Sequence, residues 1–271
     1  MPRRPIGLVA PERRRRIAEL VRDRGSVRAS DLMDLFSVTD ETIRRDLAQL
    51  ADLGVLLRAH GGAVAAPTRA ESSFSLRLRE HQAEKAAIAR AAADLVSDGS
   101  TIIVDSGSTA VHFVRALKSK RDLIVVTNAV TNAIELMDSP AITVVLTGGI
   151  VRPTTFGAVG ELAVATLREL RVDQTFLAIN GVSIEGGLTY PNFDEVAVKL
   201  AMIAAASEVI LLADHSKFGH DSLVRVAPID VLTQIVTSPG GDPEMLAALR
   251  ERGIDVIVAP LDGDARVDAA S

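Results

Sequence analysis

The sequence predicts an α/β protein in which a small helical module precedes a larger domain with a mostly parallel sheet. Residues 12–64 contain three amphipathic helical segments and then two short extended segments around a glycine turn. From residue 101 onward, short runs of Val, Ile and Leu alternate with helical segments, which is typical of strands that helices bury on both faces. We expect residues 1–66 to form the first domain, residues 67–80 a linker and residues 81–271 the second domain.

The length and the composition of the chain exclude several classes of protein. Its 271 residues suffice for one small and one medium-sized domain. The chain has no Cys, which excludes disulfides, thiolate nucleophiles and Cys-ligated metals and fits a reducing compartment. No apolar run approaches the roughly 18 residues that span a bilayer, and the Arg-rich start makes a poor signal peptide. We therefore expect a cytoplasmic protein that does not associate with a membrane.

Charge is distributed unevenly along the chain. Through Ala66 there are 12 basic and 9 acidic side chains, whereas the remainder has 18 basic and 26 acidic ones. A basic module on an acidic body indicates a local surface for nucleic acid, because affinity for phosphate is a local property. A chance excess of surface Arg would give the same counts.

The first module has the layout of a winged helix-turn-helix, three helices followed by a hairpin. Helices are predicted over residues 12–24, 30–36 and 39–53, and extended segments over residues 55–58 and 61–64. Gly25 and Gly54 stand where the first and third helices end, and Thr39 stands where the third helix needs a cap.

The third helix has one apolar and one polar face. Ile43, Leu47 and Leu50 fall within a narrow arc that packs on the other helices. The polar residues opposite or beside that arc are Thr42, Arg44, Arg45 and Gln49. Arg pairs with guanine, Gln with adenine, and Thr contacts a thymine methyl, so this face suits the major groove. An ordinary solvated face is the alternative.

The second module alternates strands and helices. Strands are predicted over residues 101–104, 123–126, 142–146, 174–179, 208–213, 233–237 and 255–258. Helices are predicted over residues 74–96, 109–117, 160–170, 195–206 and 243–252. This alternation predicts the parallel sheet.

Three polar or glycine-rich turns follow predicted strands of this sheet. They are residues 105–109, residues 127–128 and residues 147–149. Because ligands bind at the carboxyl ends of parallel strands, we expect these turns to converge on one site. Glycine and hydroxyl groups at a helix N-terminus suit an anion such as phosphate, although such turns also serve as ordinary caps.

Several charged residues of the second module have two possible roles. Lys217 follows a strand and is the best candidate for a phosphate ligand, unless it is a solvated loop lysine. Asp105 either binds hydroxyl groups of the ligand or caps its own turn. Asp194, Glu195 and Lys199 open a helix, where capping and surface roles are favoured over chemistry.

The first module resembles the DeoR family of bacterial transcriptional regulators. The resemblance lies in the contiguous residues 38–47 and in Gly54, Leu56, Arg58 and residues 60–63. It implies DNA contacts by the recognition helix and by Arg58 and His60 at the wing, although His60 could be an ordinary loop histidine. The predicted DNA-binding residues are Thr39, Thr42, Arg44, Arg45, Gln49, Arg58 and His60. Thr39 replaces the commoner Ser, and both hydroxyls cap.

The second module also resembles this family. The shared segments are residues 105–109, 127–128, 147–149, 185–189 and 214–217. The resemblance implies a domain similar to ribose-5-phosphate isomerase and the CoA transferases, with a sugar phosphate as effector. The predicted effector-binding residues are Asp105, Ser106, Gly107, Ser108, Thr109, Thr127, Asn128, Gly148, Gly149 and Lys217. Ser108 replaces the usual Thr, and residues 178–181 depart from the family's pattern, which puts the sugar end of the pocket in doubt.

These observations favour a regulator over an enzyme. The predicted function is a repressor of a carbohydrate-metabolism operon that a phosphorylated sugar or related intermediate releases from its operator. A dimer or tetramer is expected, because paired recognition helices match palindromic half-sites. The alternative is a sugar-phosphate isomerase-like enzyme with an appended DNA-binding module. No catalytic, cofactor-binding or metal-ligating spacing supports it, and a purely structural DNA-binding protein would leave the three turns unexplained.

Overall fold

The computed structural model of the protein describes residues 9–24, 26–52, 55–59, 61–65 and 74–261. The chain divides into two compact units, residues 1–76 and 77–271. The predicted Gly25, Gly54 and His60 lie outside the described residues.

The N-terminal unit has the predicted winged helix-turn-helix layout with one further strand. Its elements are α1 (Ala10–Arg24), β1 (Ser26–Arg28), α2 (Ala29–Phe36), α3 (Asp40–Asp52), β2 (Leu56–Ala59) and β3 (Gly62–Ala65). The strands form an antiparallel sheet in the order β1-β3-β2. The sequence did not predict β1, because a three-residue strand has no readable alternation.

The apolar faces of the three helices meet in one core. The buried residues at its centre include Ile17, Val21, Leu32, Ile43, Leu47 and Leu56. Ser37 ends α2 in the left-handed conformation, and its N–H donates to the carbonyl of Met33. This tight break turns the chain from α2 into α3, as a helix-turn-helix requires.

Gly62 allows the wing to pack closely on β1. A Cβ atom at this position would lie 2.1 Å from the carbonyl oxygen of Val27. The wing therefore needs a glycine at this position for its own packing. Gly61 has a φ of 77° and open space around it.

The C-terminal unit is built around one seven-stranded sheet. The helices from residue 74 onward are α4 (Phe74–Arg79), α5 (Gln82–Asp94), α6 (Ser108–Ala116), α7 (Val130–Leu136), α8 (Glu161–Arg168), α9 (Phe193–Ala205) and α10 (Pro243–Glu251). The strands of this sheet are β4 (Thr101–Val104), β5 (Leu123–Thr127), β6 (Ile142–Leu146), β9 (Val172–Leu177), β12 (Ala206–Ala213), β14 (Gln234–Thr237) and β15 (Asp255–Val258). All neighbouring pairs are parallel, in the order β15-β14-β12-β9-β4-β5-β6. The predicted parallel α/β domain is confirmed.

Apolar layers cover both faces of this sheet. One layer contains buried residues of α5, α6 and α7, including Ile88, Phe113 and Leu136. The other contains buried residues of α8, α9 and α10, including Leu167 and Met202. Coverage of both faces explains why these strands are continuous apolar runs in the sequence.

Several short elements were not predicted. They are α7 and the strands β7 (Ile150–Val151), β8 (Ala158–Val159), β10 (Gly181–Ser183), β11 (Gly187–Tyr190) and β13 (Val224–Ala227). The single helix predicted over residues 74–96 is interrupted at His81, whose φ is 53°, so α5 begins anew at Gln82. In the described part of the chain, no helix has the length and apolar character to cross a bilayer.

Candidate DNA-binding surface and effector pocket

Helix α3 exposes the polar residues that the sequence predicted to face DNA. Thr42 is half-buried, and the exposed residues are Arg44, Arg45 and Gln49. Arg44 pairs with Asp40 at 2.8 Å and Arg45 with Glu41 at 3.1 Å, in both cases one turn away on the helix. Such exposed pairs contribute little to stability, so either guanidinium can exchange its carboxylate for DNA at low cost.

A buried ion pair fixes α3 against α1, and the sequence interpretation missed it. Asp46 is buried on the packed face of α3, and its Oδ2 accepts a hydrogen bond from Arg13 Nε at 2.5 Å. Arg14 lies 3.9 Å from the other carboxylate oxygen. Asp46 lies three residues after Ile43 and four before Leu50, so it shares the apolar face of α3, and this spacing could have indicated that it is buried.

The wing and α3 enclose a cleft of about 560 Å³ in the N-terminal unit. The residues that line it are Ala29, Asp40, Arg44, Leu47, Arg58, Ala59, Gly61 and Gly62. Arg44 and Arg58 thus meet at one surface although they come from different elements. Thr39 has a local role, since its Oγ1 accepts from the N–H of Thr42 at 3.4 Å in the first turn of α3.

A second pocket, of about 500 Å³, lies in the C-terminal unit where β4, β9 and β12 end. The residues that line it are Arg77, Glu80, His81, Lys85, Ser106, Gly107, Ser108, Thr109, Ala178, Ile179, Asn180, Tyr190, Leu212 and Lys217. Five of the predicted effector-binding residues are therefore brought together here. The carboxyl ends of parallel strands are the usual position for ligands in such sheets.

The N-terminus of α6 faces this pocket without a side-chain cap. Gly107 precedes the helix with a φ of 145°, and a Cβ atom there would lie 3.0 Å from that of Ala178. The hydroxyl of Ser106 is buried and has no hydrogen-bond partner among the described residues. The first N–H groups of α6 and this hydroxyl are donors suited to an anion.

Three cationic side chains stand around this N-terminus. Lys85 is buried, and its Nζ donates to the carbonyl oxygens of Arg77 and Glu80. Burial lowers the pKa of Lys85 to about 8, so the ammonium is costly to keep charged without an anion. Lys217 is half-buried, with its Nζ 3.3 Å from the Ser216 hydroxyl, and Arg77 donates to a carbonyl oxygen elsewhere in the unit at 2.7 Å.

Lys199 is buried beneath the pocket, which corrects its predicted place on a mostly surface helix. Its Nζ contacts Asp105 Oδ2 at 2.5 Å and the carbonyl oxygen of Ala178 at 2.9 Å, and it lies 4.3 Å from the centroid of the Tyr190 ring. Asp105 also accepts from the N–H of Ser106 and of Ala178. Burial raises the pKa of Asp105, while the charge of Lys199 opposes that shift. Asp105 therefore braces two strand ends from within and does not line the pocket.

Glu195 is also buried, although the sequence interpretation favoured a capping or surface role. Its carboxylate accepts from Arg152 and from the hydroxyl of Thr155, the latter at 2.8 Å. The cap of α9 is Asn192, whose side chain accepts from the N–H of Asp194 at 2.8 Å. The apolar stripe of α9 fixes this register, so two successive turns of the helix place the charged groups of Glu195 and Lys199 in the interior.

Four other predicted effector-binding residues are not among the residues that line this pocket. Thr127 is fully buried, and its hydroxyl donates to the carbonyl oxygen of Val104 at 2.7 Å. Asn128 donates to the carbonyl oxygen of Ala158 at 3.1 Å. Gly148 and Gly149 follow β6, the edge strand, and a Cβ atom at Gly149 would lie 2.5 Å from a backbone oxygen of β8. The pocket forms at the centre of the sheet, whereas two of the three turns follow β5 and β6 toward its edge.

Sequence reasoning missed Arg77, His81 and Lys85 as residues of the pocket. They belong to the segment around α4 and α5, which precedes the first strand of the sheet. Lys85 offered a signal, because it occupies a buried position in an otherwise Ala-rich apolar stripe of α5.

We compared the chain with solved structures and with proteins of similar sequence. Ribose 5-phosphate isomerase A of Methanocaldococcus jannaschii matches 52% of this chain and 56% of its own, with 22% identity and a TM-score of 0.39. An uncharacterized HTH-type transcriptional regulator of Bacillus subtilis (strain 168), YulB, is 37% identical over 255 residues, which cover 94% of this chain and 98% of that protein. The glycerol-3-phosphate regulon repressor of Escherichia coli (strain K12) is 32% identical over 245 residues, which cover 90% and 97%.

Two domain families account for most of the described chain. The DeoR-like helix-turn-helix domain matches residues 13–69, which contain α3 and the wing. The DeoR C terminal sensor domain matches residues 80–239, which contain most of the pocket. The chain therefore belongs to the DeoR family of DNA-binding transcriptional regulators.

Proposed function

We propose that this protein represses a carbohydrate-metabolism operon and leaves its operator when a phosphorylated sugar or related intermediate binds the C-terminal unit. The observation that carries the proposal is the pocket at the N-terminus of α6. Arg77, Lys85 and Lys217 line it, against the single carboxylate of Glu80 among the described lining residues. Residues 67–271 have more acidic than basic side chains, so this local excess of positive charge is selective for an anion.

The lining of the pocket favours a small phosphorylated ligand. Backbone N–H groups and hydroxyls at the start of α6 would hold the phosphate, with Lys85 and Lys217 as charged partners. Asn180 and Tyr190 would face the carbon chain of the ligand. The relative from Escherichia coli (strain K12) is named for a regulon of glycerol 3-phosphate, a small phosphorylated metabolite.

Operator binding is assigned to the N-terminal unit. Arg45, Thr42 and Gln49 would read bases in the major groove, and Arg44 and Arg58 would contact the backbone on either side of the cleft. Thr39 orders the first turn, and His60 completes the proposed set at the wing. We further propose that the protein is a homodimer or homotetramer, because two half-sites need two recognition helices. We place its domains over residues 1–66 and 81–271, with a linker between them, and its action in the cytoplasm.

We propose that the pocket senses its ligand without transforming it. Isomerisation of a sugar phosphate needs a general base within hydrogen-bond reach of a carbon-bound proton. Asp105, the carboxylate that directly follows β4, does not line the pocket and is occupied by Lys199 and two backbone N–H groups. Incubation of the full-length protein with ribose 5-phosphate is therefore expected to give no ketose product.

The test of effector binding uses an operator that the full-length protein selects from a random-duplex library. Gel shifts with this duplex are titrated with phosphorylated sugars and polyols, each beside its unphosphorylated form. We expect release by a phosphorylated member only, because a ligand shifts the equilibrium only through different affinities for the two states. Lys217→Ala should keep operator affinity and raise the releasing concentration about ten- to a hundredfold, the value of a charge-assisted phosphate contact.

Two further variants make this test specific. Lys85→Met preserves the volume of the side chain and removes its charge, so it should impair release in the same way. Lys118→Ala removes an exposed lysine outside the pocket and should respond as wild type. Release of the Lys217→Ala variant at the wild-type concentration would contradict the assignment of the phosphate to this end of the pocket.

A further inference from the structure

A cluster of two histidines and two carboxylates borders the proposed effector pocket. His81, Glu84, Asp214 and His215 each place one potential ligand atom within 4.8 Å of the others. His81 Nδ1 lies 2.8 Å from Glu84 Oε1, and His215 Nδ1 lies 2.7 Å from Glu84 Oε2. The two imidazole rings stand edge-on, with their centroids 5.2 Å apart. His81 also lines the pocket itself.

The spacing of these atoms suits a small metal ion. Bonds of about 2.0–2.2 Å to nitrogen and oxygen place neighbouring ligands of a tetrahedral site about 3.4 Å apart. The observed separations lie on both sides of that value, from 2.7 Å to at most 4.8 Å. Small rotations of the four side chains would therefore close the site. Imidazole and carboxylate together suit Zn²⁺ and other divalent first-row transition ions.

Asp214 gives an independent indication of a ligand. It is fully buried, and its Oδ1 accepts from both the N–H and the hydroxyl of Ser216. Its Oδ2 accepts no hydrogen bond from any described residue, and the ammonium of Lys217 is 3.9 Å away. A buried carboxylate oxygen without a hydrogen bond is strongly disfavoured unless a cation approaches it.

The surroundings of the cluster would orient its ligands. The hydroxyl of Ser238 donates to Glu84 Oε2 at 2.6 Å, and the N–H of His215 donates to the same hydroxyl at 2.9 Å. Hydrogen bonds of this kind fix the rotamer of a ligand before the metal arrives. Glu84 is carried on α5 and His215 on the turn after β12, so the site would also tie a helix to a strand end.

Charge decides how such a site would interact with the pocket. The ammonium groups of Lys85 and Lys217 lie near Asp214, and these two groups together with the carboxylates of Asp214 and Glu84 carry no net charge. A divalent ion alone would leave an excess of about two positive charges, which a phosphate monoester of about −2 near neutral pH would cancel. Each of the two ligands would therefore favour the other, and linkage makes that effect reciprocal.

We propose that His81, Glu84, Asp214 and His215 form a binding site for a divalent first-row transition ion, and that this ion and a phosphorylated ligand bind with positive cooperativity. The cooperativity rests on the proposed effector pocket, whereas the metal site itself does not.

The site is tested by calorimetric titration of untagged, EDTA-treated full-length protein with ZnCl₂ and, separately, MnCl₂. We expect one site per chain in the wild type. His81→Ala and His215→Ala should each weaken binding by at least about tenfold. His220→Ala, which removes an exposed histidine of the same unit, should leave affinity unchanged. Lys217→Ala should strengthen metal binding, because its ammonium competes for Asp214, although the same change weakens the proposed effector binding.

The outcomes separate the two proposals. Absence of stoichiometric binding, or equal losses in His220→Ala and His215→Ala, would overturn the metal site even if sugar phosphates release the operator. If His215→Ala does not fold, as circular dichroism would reveal, the comparison rests on His81, whose side chain is more exposed. The coupling is measured with MnCl₂ at increasing concentrations of inorganic phosphate, and we expect the metal affinity to rise at least about fivefold. Metal binding that phosphate leaves unchanged would overturn the cooperativity.

Discussion

At the scale of single residues, the pair Lys199–Asp105 holds the floor of the pocket in place. Each side chain is only 1% exposed, and between them they contact the strand ends at residues 105–106 and 178. A buried ion pair adds little net stability, but loss of one partner leaves an uncompensated charge. Its geometric role is to set the position of Ser106 and of the N-terminus of α6, which are the proposed anion-binding groups.

Lys199→Met is therefore expected to destabilise the C-terminal unit by about 3–5 kcal/mol, because Asp105 is left buried and unpaired. Urea denaturation checks this with the fluorescence of Tyr190, the single tyrosine in a chain without tryptophan. The double variant with Asp105→Asn removes both charges and should regain a large part of the loss. A stability of Lys199→Met within 1 kcal/mol of wild type would show that the pair is not the brace described here.

The residues of the site were predictable only where chain order places them at a strand end. Ser106, Gly107 and Lys217 each follow a strand closely, so the topology of a parallel sheet brings them together. Lys85 on α5 and His81 just before this helix lie outside the strand-and-turn pattern, and only the tertiary fold reveals that they reach the pocket. Lys199 was misplaced because a charged residue in an amphipathic helix is normally exposed.

At the scale of elements, α3 combines a fixed packed face with a loosely paired exposed one. Asp46 and the apolar residues beside it hold the helix against α1, while the guanidinium of Arg45 pairs only with an exposed carboxylate one turn away. Rigid placement of the helix with an exchangeable outer surface is what base recognition requires.

Arg45→Ala should weaken operator binding by about 1–3 kcal/mol and relax base preference at one position, because a bidentate contact to guanine is lost. Stability should change by less than about 0.5 kcal/mol, since its ion pair is exposed. Gel shifts against the selected operator and its single-base variants measure both effects. Arg15→Ala, on the exposed side of α1, is the matched control and should leave base preference intact. Unchanged affinity and preference in Arg45→Ala would remove α3 from the role of recognition helix.

The elements that the sequence predicted correctly are those with a strong periodic signal. The seven strands of the large sheet are short apolar runs, which are mostly buried at the centre of the sheet and partly exposed in the edge strands β6 and β15. Each was expected within a few residues of its observed limits. The strands β7, β8, β10, β11 and β13 were not predicted, because two to four residues are too few to show an alternation of apolar and polar side chains. The break between α4 and α5 was not predicted either, because His81 adopts a left-handed conformation and no Gly or Pro in the sequence marks the position.

At the scale of the whole molecule, each unit has a hydrophobic core of its own. The core of the N-terminal unit is closed by residues of α1, α2, α3 and the wing. The charge is divided in the same way, with a basic first segment and an acidic remainder. These features suit a chain that binds DNA with one part and senses a ligand with the other.

A fragment of residues 1–66 should therefore fold alone but bind the operator far more weakly than the full chain. Its core is complete, whereas the proposed oligomer contacts lie in the remainder, so the fragment loses the effective concentration that a second linked half-site provides. Thermal unfolding followed by circular dichroism checks the first expectation, and gel shifts check the second. Undiminished affinity of the fragment would contradict a role of the C-terminal unit in pairing recognition helices.

The strand order of the large sheet has a consequence for how the protein is made. At its centre β4 pairs with β9, and the partners Val104 and Phe176 are 72 residues apart. During synthesis β4 therefore emerges long before the strand that covers its edge, whereas the contacts of the N-terminal unit are closer in sequence. The DNA-binding part can fold on the ribosome while one edge of the apolar strand β4 in the nascent sensor is still unpaired. Completion of the sensor, and with it control of the regulator by its ligand, is therefore the slow and aggregation-prone stage of its biogenesis.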